Sequence, residues 1–184
     1  TPGFYDVTLV AVDSNNCSTT ELARLEIYPN PIPNFASTEA CLNSSTQFTN
    51  QSYINSGSSI SAYIWNFGDQ SNSNQTNPNH TYTQVGTYNI SLTAISNYGC
   101  RETTVLQARV NPNPVAVFAS SGSGCGPISS TFSESSSISE GVITGWLWNF
   151  SDGEISTDQH PSHIFTNPGN YDVNLTVVSD RGCY

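Results

Sequence analysis

The chain repeats itself with a period of 83 residues. Gly3, Gly86 and Gly169 keep that spacing, as do Tyr5, Tyr88 and Tyr171, and Cys17, Cys100 and Cys183. So do the pairs Phe35 and Phe118, Trp65 and Trp148, Phe67 and Phe150, and His80 and His163. Cys41 and Cys125 are 84 apart, which puts a one-residue insertion between Phe118 and Cys125, compensated before Trp148. A fixed period means one structural unit used several times. Residues 1–29 read as the C-terminal part of a module, 30–112 as a whole module, and 113–184 as a module lacking its last strand. Both ends read as cuts. The sequence has no initiator Met, no leader and no apolar run long enough to span a bilayer, so export signal and anchor are expected outside it.

Each module reads as strands. Tyr88, Ile90, Leu92 and Ala94 alternate with Asn89, Ser91 and Thr93, the period of two that buries one face of a strand. Tyr63, Trp65 and Phe67 alternate in the same way with Ile64 and Asn66. Thr46–Thr49 and Thr103–Val110 supply further strands, and Asn, Gly, Ser and Pro clusters between them mark turns. No stretch carries a 3.6-residue period. Short strands with frequent turns predict an all-β fold of tandem β-sandwiches. Pro29–Pro33 and Asn111–Pro114 are the expected joints, stiffened by the fixed φ of proline. Composition excludes some partners. A net charge of −10, with no Lys among the 184 residues, leaves no basic face for nucleic acid or anionic lipid.

The run Tyr63-Ile64-Trp65-Asn66-Phe67-Gly68-Asp69, then Pro78-Asn79-His80-Thr81-Tyr82, then Gly86-Thr87-Tyr88 resembles the PKD (polycystic kidney disease) domain. The third module repeats it in Trp146–Gly153, Pro161–Phe165 and Gly169–Leu175. Asn66 and Asn149 depart from the Asp of that motif, and Gln70 and Ser151 from its glycines, which leaves the backbone of that one turn undetermined. The resemblance implies Ig-like modules of secreted and cell-surface proteins. It is similar in particular to arrays in giant Bacteroidota adhesins of the gliding, type 9 secreted kind. Five Cys in such a chain suggest disulfides. Given the repeat, the expected pairs are Cys41–Cys100 and Cys125–Cys183, with Cys17 left over. Against this, simple Ig topology puts the two members of each pair at opposite ends of a module, beyond bridging distance.

The period also sorts the polar and aromatic residues. A catalytic group has no reason to recur in every module, so Trp65, Phe67, Asp69, His80 and Tyr88, with Trp148, Phe150, Asp152, His163 and Tyr171, are expected to be scaffold. Ser, His and Asp are present in no triad-like order, and no catalytic residue is expected. Asp152, Glu154 and Asp158 are weak candidates for Ca²⁺, which needs six to eight oxygens; no other cofactor is expected. The expected function is an extracellular spacer or stalk in a cell-surface adhesin, whose partners are neighbouring modules and an unidentified surface glycan or protein. Two alternatives are a module that grips glycan or protein directly, through loop aromatics such as Tyr53 and Tyr98, and accessory repeats of a secreted hydrolase.

Overall fold

The computed structural model describes residues 1–55 and 57–184. All sixteen elements are strands. The chain opens on a hairpin of β1 (Gly3–Val12) and β2 (Ser18–Ile27), paired antiparallel from Gly3↔Ile27 to Val12↔Ser18.

The first whole repeat contains β3 (Phe35–Ser37), β4 (Ala40–Cys41), β5 (Ser45–Asn50), β6 (Ile60–Asn66), β7 (Asn72–Ser73), β8 (Asn79–Thr81), β9 (Gly86–Ser96) and β10 (Arg101–Asn111). One sheet has the order β4-β10-β9-β6-β7 and the other β3-β5-β8. The last repeat contains β11 (Phe118–Ser120), β12 (Ile128–Glu134), β13 (Ile143–Asn149), β14 (Ile155–Ser156), β15 (Ser162–Phe165) and β16 (Asn174–Ser179). Its sheets, β11-β12-β15 and β14-β13-β16, repeat the orders β3-β5-β8 and β7-β6-β9 of the first; β4 and β10 have no counterpart there among the described strands. Even the irregularities recur. A register shift falls between Ile60 and Ala62 where β6 meets β9, and between Ile143 and Gly145 where β13 meets β16. Such bulges bend a strand and fix its register.

By compactness the chain divides into two units. One is Thr1–Thr38, Gln47–His80 and Tyr88–Ala108; the other is Glu39–Thr46, Thr81–Thr87 and Arg109–Tyr184. In the first unit the core is aromatic. Phe35 and Phe48 from one sheet meet Trp65 from the other at centroid distances of 5.1 and 5.7 Å, and Phe67 lies tilted 5.1 Å from Phe48. In the second unit Phe118 and Phe132 meet Trp148 at 5.0 and 5.5 Å, and Phe150 lies 5.3 Å from Phe132. Trp146 is half-buried against this cluster. The alternation in β9 works as the sequence predicts: Ile90, Leu92 and Ala94 are buried. Their counterparts in β1, Val7 and Leu9, are exposed.

The proline-rich joints are tied down by backbone. Ile32 and Tyr53 exchange two hydrogen bonds of 2.7 and 3.1 Å, and Val115 and Ser137 exchange two of 2.7 and 3.0 Å. Each joint is thereby fastened to the repeat that follows it.

Candidate functional site

The residues that recur converge on one turn in each repeat. β6 ends at Asn66, whose Oδ1 accepts the Gly68 N–H at 2.8 Å. Gly68 has φ 83°, and an added Cβ would stand 2.8 Å from the Asn89 carbonyl oxygen, so a side chain there requires the backbone to shift. Asp69 Oδ1 accepts the Ser71 N–H at 3.1 Å and also its hydroxyl. β8 brings in His80, whose Nε2 lies 2.7 Å from Asp69 Oδ2. The imidazole stacks on Phe67 at 4.3 Å, almost parallel. In the last repeat Asn149 Oδ1 accepts the Ser151 N–H at 2.9 Å, and Asp152 Oδ1 accepts the Glu154 N–H at 3.1 Å. His163 Nε2 lies 2.7 Å from Asp152 Oδ2, and its ring stacks on Phe150 at 4.1 Å. The departures from the glycine motif leave the turn type unchanged. Gln70 and Gly153 share positive φ values of 76° and 99°, and Gly68 and Ser151 share 83° and 61°.

The Asp–His pairs have an electrostatic signature. Burial pushes the Asp69 carboxyl up, but the hydrogen bonds from Ser71 and His80 outweigh it and hold the group below its ordinary value. For Asp152 the hydrogen bond from His163 comes first and outweighs a smaller effect of burial in the other direction.

Ser71, His80 and Asp69 lie within hydrogen-bond reach of one another, but their order is wrong for nucleophilic catalysis. In a triad the histidine stands between nucleophile and carboxylate. Here the Ser71 hydroxyl gives its hydrogen bond to the carboxylate itself. The position 83 residues on from Ser71 is Glu154, so the second copy keeps the Asp–His pair and has no hydroxyl. The arrangement ties a strand to a turn: β8 to the turn after β6, and β15 to the turn after β13.

The remaining scaffold candidates occupy matching places. Trp65 Nε1 donates to the Gln75 carbonyl and Trp148 Nε1 to the Asp158 carbonyl, each at 2.9 Å. Tyr171 donates its hydroxyl to the Asn167 carbonyl at 2.9 Å and stacks on Phe165. Tyr88 is half-buried in β9. The carbonyl partners of the tryptophans were not foreseeable from sequence, because their acceptors are main chain and carry no residue signature.

Asp152, Glu154 and Asp158, the weak Ca²⁺ candidates, are not gathered into one cluster. Among the described residues no three of His, Cys, Asp and Glu come together as ligands. Asp152 bonds His163 and the Glu154 N–H, while the Asp158 carbonyl accepts from Trp148 and its N–H donates to Ser156 Oγ. Of the loop aromatics, Tyr98 is stacked on Tyr28 at 3.7 Å, and Tyr53 stays exposed.

The cysteines correct the expected pairing. Cys41 is bonded to Cys183, with Cα atoms 5.6 Å apart, and Cys17, Cys100 and Cys125 are free thiols. Strand geometry explains why. Cys41 pairs alongside Asn111 at the last residue of β10, whereas Cys100 immediately precedes the first. At a rise of about 3.3 Å per residue, the length of β10 puts them roughly 35 Å apart. Cys125 shares a cavity of about 700 Å3 with Val173, just before β16, whereas Cys183 lies beyond the far end of that strand. Six residues of strand, about 20 Å, separate those ends. The reach of a disulfide, about 7 Å between Cα atoms, forbids both expected pairs.

The chain is similar to known proteins. The PKD domain profile matches residues 28–110 and again 111–184. The chain is 30% identical over 128 residues to pre-pro-metalloprotease PrtV of Vibrio cholerae, which covers 69% of this chain and 14% of that protein. It is 40% identical over 50 residues to collagenase ColA of Bacillus cereus, 27% of this chain and 5% of that one. Among solved structures, the PKD1 domain of Vibrio anguillarum Epp is 30% identical, with a TM-score of 0.41, over 44% of this chain and 93% of that domain. These curated relatives are a bacterial metalloprotease and a bacterial collagenase, of each of which the chain spans a small part. With two matches that together run from residue 28 to the last residue, the chain belongs to the PKD domain family.

Proposed function

We propose that this chain is a structural spacer: a segment of a long extracellular repeat protein, built of the tail of one module (1–29), one whole module (30–112) and a further one (113–184). The observation that carries the reading is the internal equivalence of the repeats. The Asp–His pair, the stacked Phe and the buried Trp are built twice from the same positions, and in each copy the Asp carboxylate, the His Nε2 and the indole N–H are hydrogen-bonded within the fold. A module that did chemistry at these positions would need at least one polar group left for a substrate. The finer reading is a stalk in a cell-surface adhesin, serving adhesion or gliding after type 9 export, with an unidentified surface glycan or protein bound elsewhere in the parent protein.

The test is an exchange. In the parent protein, replacing this segment by an equal number of unrelated β-sandwich modules leaves surface attachment intact if the segment is a spacer. Loss of attachment with the stability of the parent unchanged contradicts it.

A second reading is favoured by the relatives, a metalloprotease and a collagenase. There the modules would be accessory repeats of a secreted hydrolase. Deleting them would then lower hydrolysis of an insoluble substrate and leave a soluble one unaffected.

A further inference from the structure

The five cysteines occupy two kinds of place. Cys17, Cys100 and Cys183 each close the turn after a long strand. The N–H of Asp13, Ser96 or Ser179 donates to the carbonyl of the cysteine four residues on, at 2.9 Å in all three copies. The cysteine N–H returns a hydrogen bond to the side chain of that same Asp or Ser, at 2.8, 3.1 and 3.1 Å. Cys41 and Cys125 belong to the other kind, the segment between the first three-residue strand and the next long one: Cys41 between β3 and β5, Cys125 between β11 and β12. Cys41 lies in a tight turn, where Ser44 N–H donates back to its carbonyl at 3.0 Å and Leu42 N–H donates to Asn111 at 2.9 Å.

The one bond formed joins one cysteine of each kind, and from different repeats. Cys41 belongs to the first whole repeat and Cys183 to the next, 142 residues on. Within a repeat the two kinds stand at opposite ends of the long strands, so the bond has to cross a module boundary. That gives a rule: a loop cysteine bonds the turn cysteine one repeat further along the chain. Under this rule the partner of Cys125 falls one period after Cys183. The partner of Cys100 falls one period before Cys41, and that of Cys17 two periods before. The three thiols that are free in this chain are the three whose partners lie outside residues 1–184.

We propose that the Cys41–Cys183 bond is one rung of a repeating clasp. In a longer array of this period, every module is covalently joined to the next through its loop cysteine, and Cys125 is the attachment point for a module that follows. The inference rests on the repeat-array reading given above. Each clasp forms when two thiols lose two protons and two electrons to a disulfide oxidant, such as glutathione disulfide, which leaves as two thiols.

Two measurements test it. The first uses the 184-residue chain, oxidised with glutathione disulfide, alkylated and digested without reduction. Cys41–Cys183 is recovered as one linked peptide, and Cys17, Cys100 and Cys125 carry the alkyl label or a glutathione cap. Recovery of Cys41–Cys100 or Cys125–Cys183 overturns the proposal. In Cys183→Ser, Cys41 becomes alkylatable; its transfer to Cys100 in a protein with native near-ultraviolet dichroism also overturns it. The second lengthens the chain after Tyr184 by a copy of residues 102–184, which continues the period. Cys125 is then lost from the alkylated fraction and appears linked to the added copy of Cys183. If Cys125 stays free while the added repeat folds, the rule is wrong. The spacer function is read separately, by module exchange, so either can fail without the other.

Discussion

Tryptophan and the Asp–His pair carry the account at the scale of single residues. Trp65 and Trp148 are fully buried, each between the aromatic rings of the opposite sheet, and each has its one polar atom satisfied. Trp65→Ala should destabilise its repeat by about 3–5 kcal/mol, the usual cost of emptying so large a site. A urea titration followed by far-ultraviolet circular dichroism, which reports the strands of both repeats, measures it. The carboxylates make stability depend on pH. Asp69 and Asp152 titrate below their ordinary 3.8 in the folded state. Each therefore adds stability at pH values above 3.8, and that contribution is lost as pH falls through the lower folded value. The melting midpoint should hold steady down to about pH 4 and fall below it, and Asp69→Asn should flatten part of that fall. A midpoint in the variant that falls as steeply as in the parent would remove the Asp–His pair from the stability of the repeat. These residues were legible in sequence as scaffold because they recur. Their partners were not: the pairing of Asp69 with His80 needs β8 to cross beside the turn after β6, which is a fact of tertiary structure.

Strands were the most legible elements, because a period of two survives in β9 as buried Ile90, Leu92 and Ala94. The shortest were not. β4, β7 and β14 have two residues each, too few to show any alternation. Yet β4 decides the disulfide, since its parallel pairing with the end of β10 places Cys41 far from Cys100. The sequence revealed two classes of cysteine, and the Ig-like resemblance set them at opposite ends of a module, but nothing in it paired a cysteine with one of the next repeat. The hairpin β1–β2 is the weak element. All its large apolar side chains, Phe4, Leu9, Leu22 and Leu25 among them, are exposed. An isolated hairpin is marginal in water. Amides of β1 should therefore exchange with solvent orders of magnitude faster than the matching amides of β9, as read by hydrogen exchange with mass spectrometry. Equal protection in the two would mean that β1 is covered in solution.

For the whole molecule the period governs more than any local motif. It shows one unit used repeatedly, separates recurring positions from single ones, and gives the register of the proposed clasp. Closing a loop of 142 residues removes conformational freedom from the unfolded chain worth about 5 kcal/mol on the chain-entropy estimate. Reductant, or Cys41→Ser, should therefore lower the melting midpoint. An unchanged midpoint would show that the bond does not constrain the unfolded state. The most direct measurement is to pull the single chain from its two termini. With the clasp closed, the 142-residue separation from Cys41 to Cys183 is withheld from extension, and adding reductant releases about 500 Å more contour at roughly 3.6 Å per residue. That gain in one step is what a spacer clasped across its module boundary predicts. Full extension without reductant, or two separate shorter gains from loops closed within each module, would contradict it.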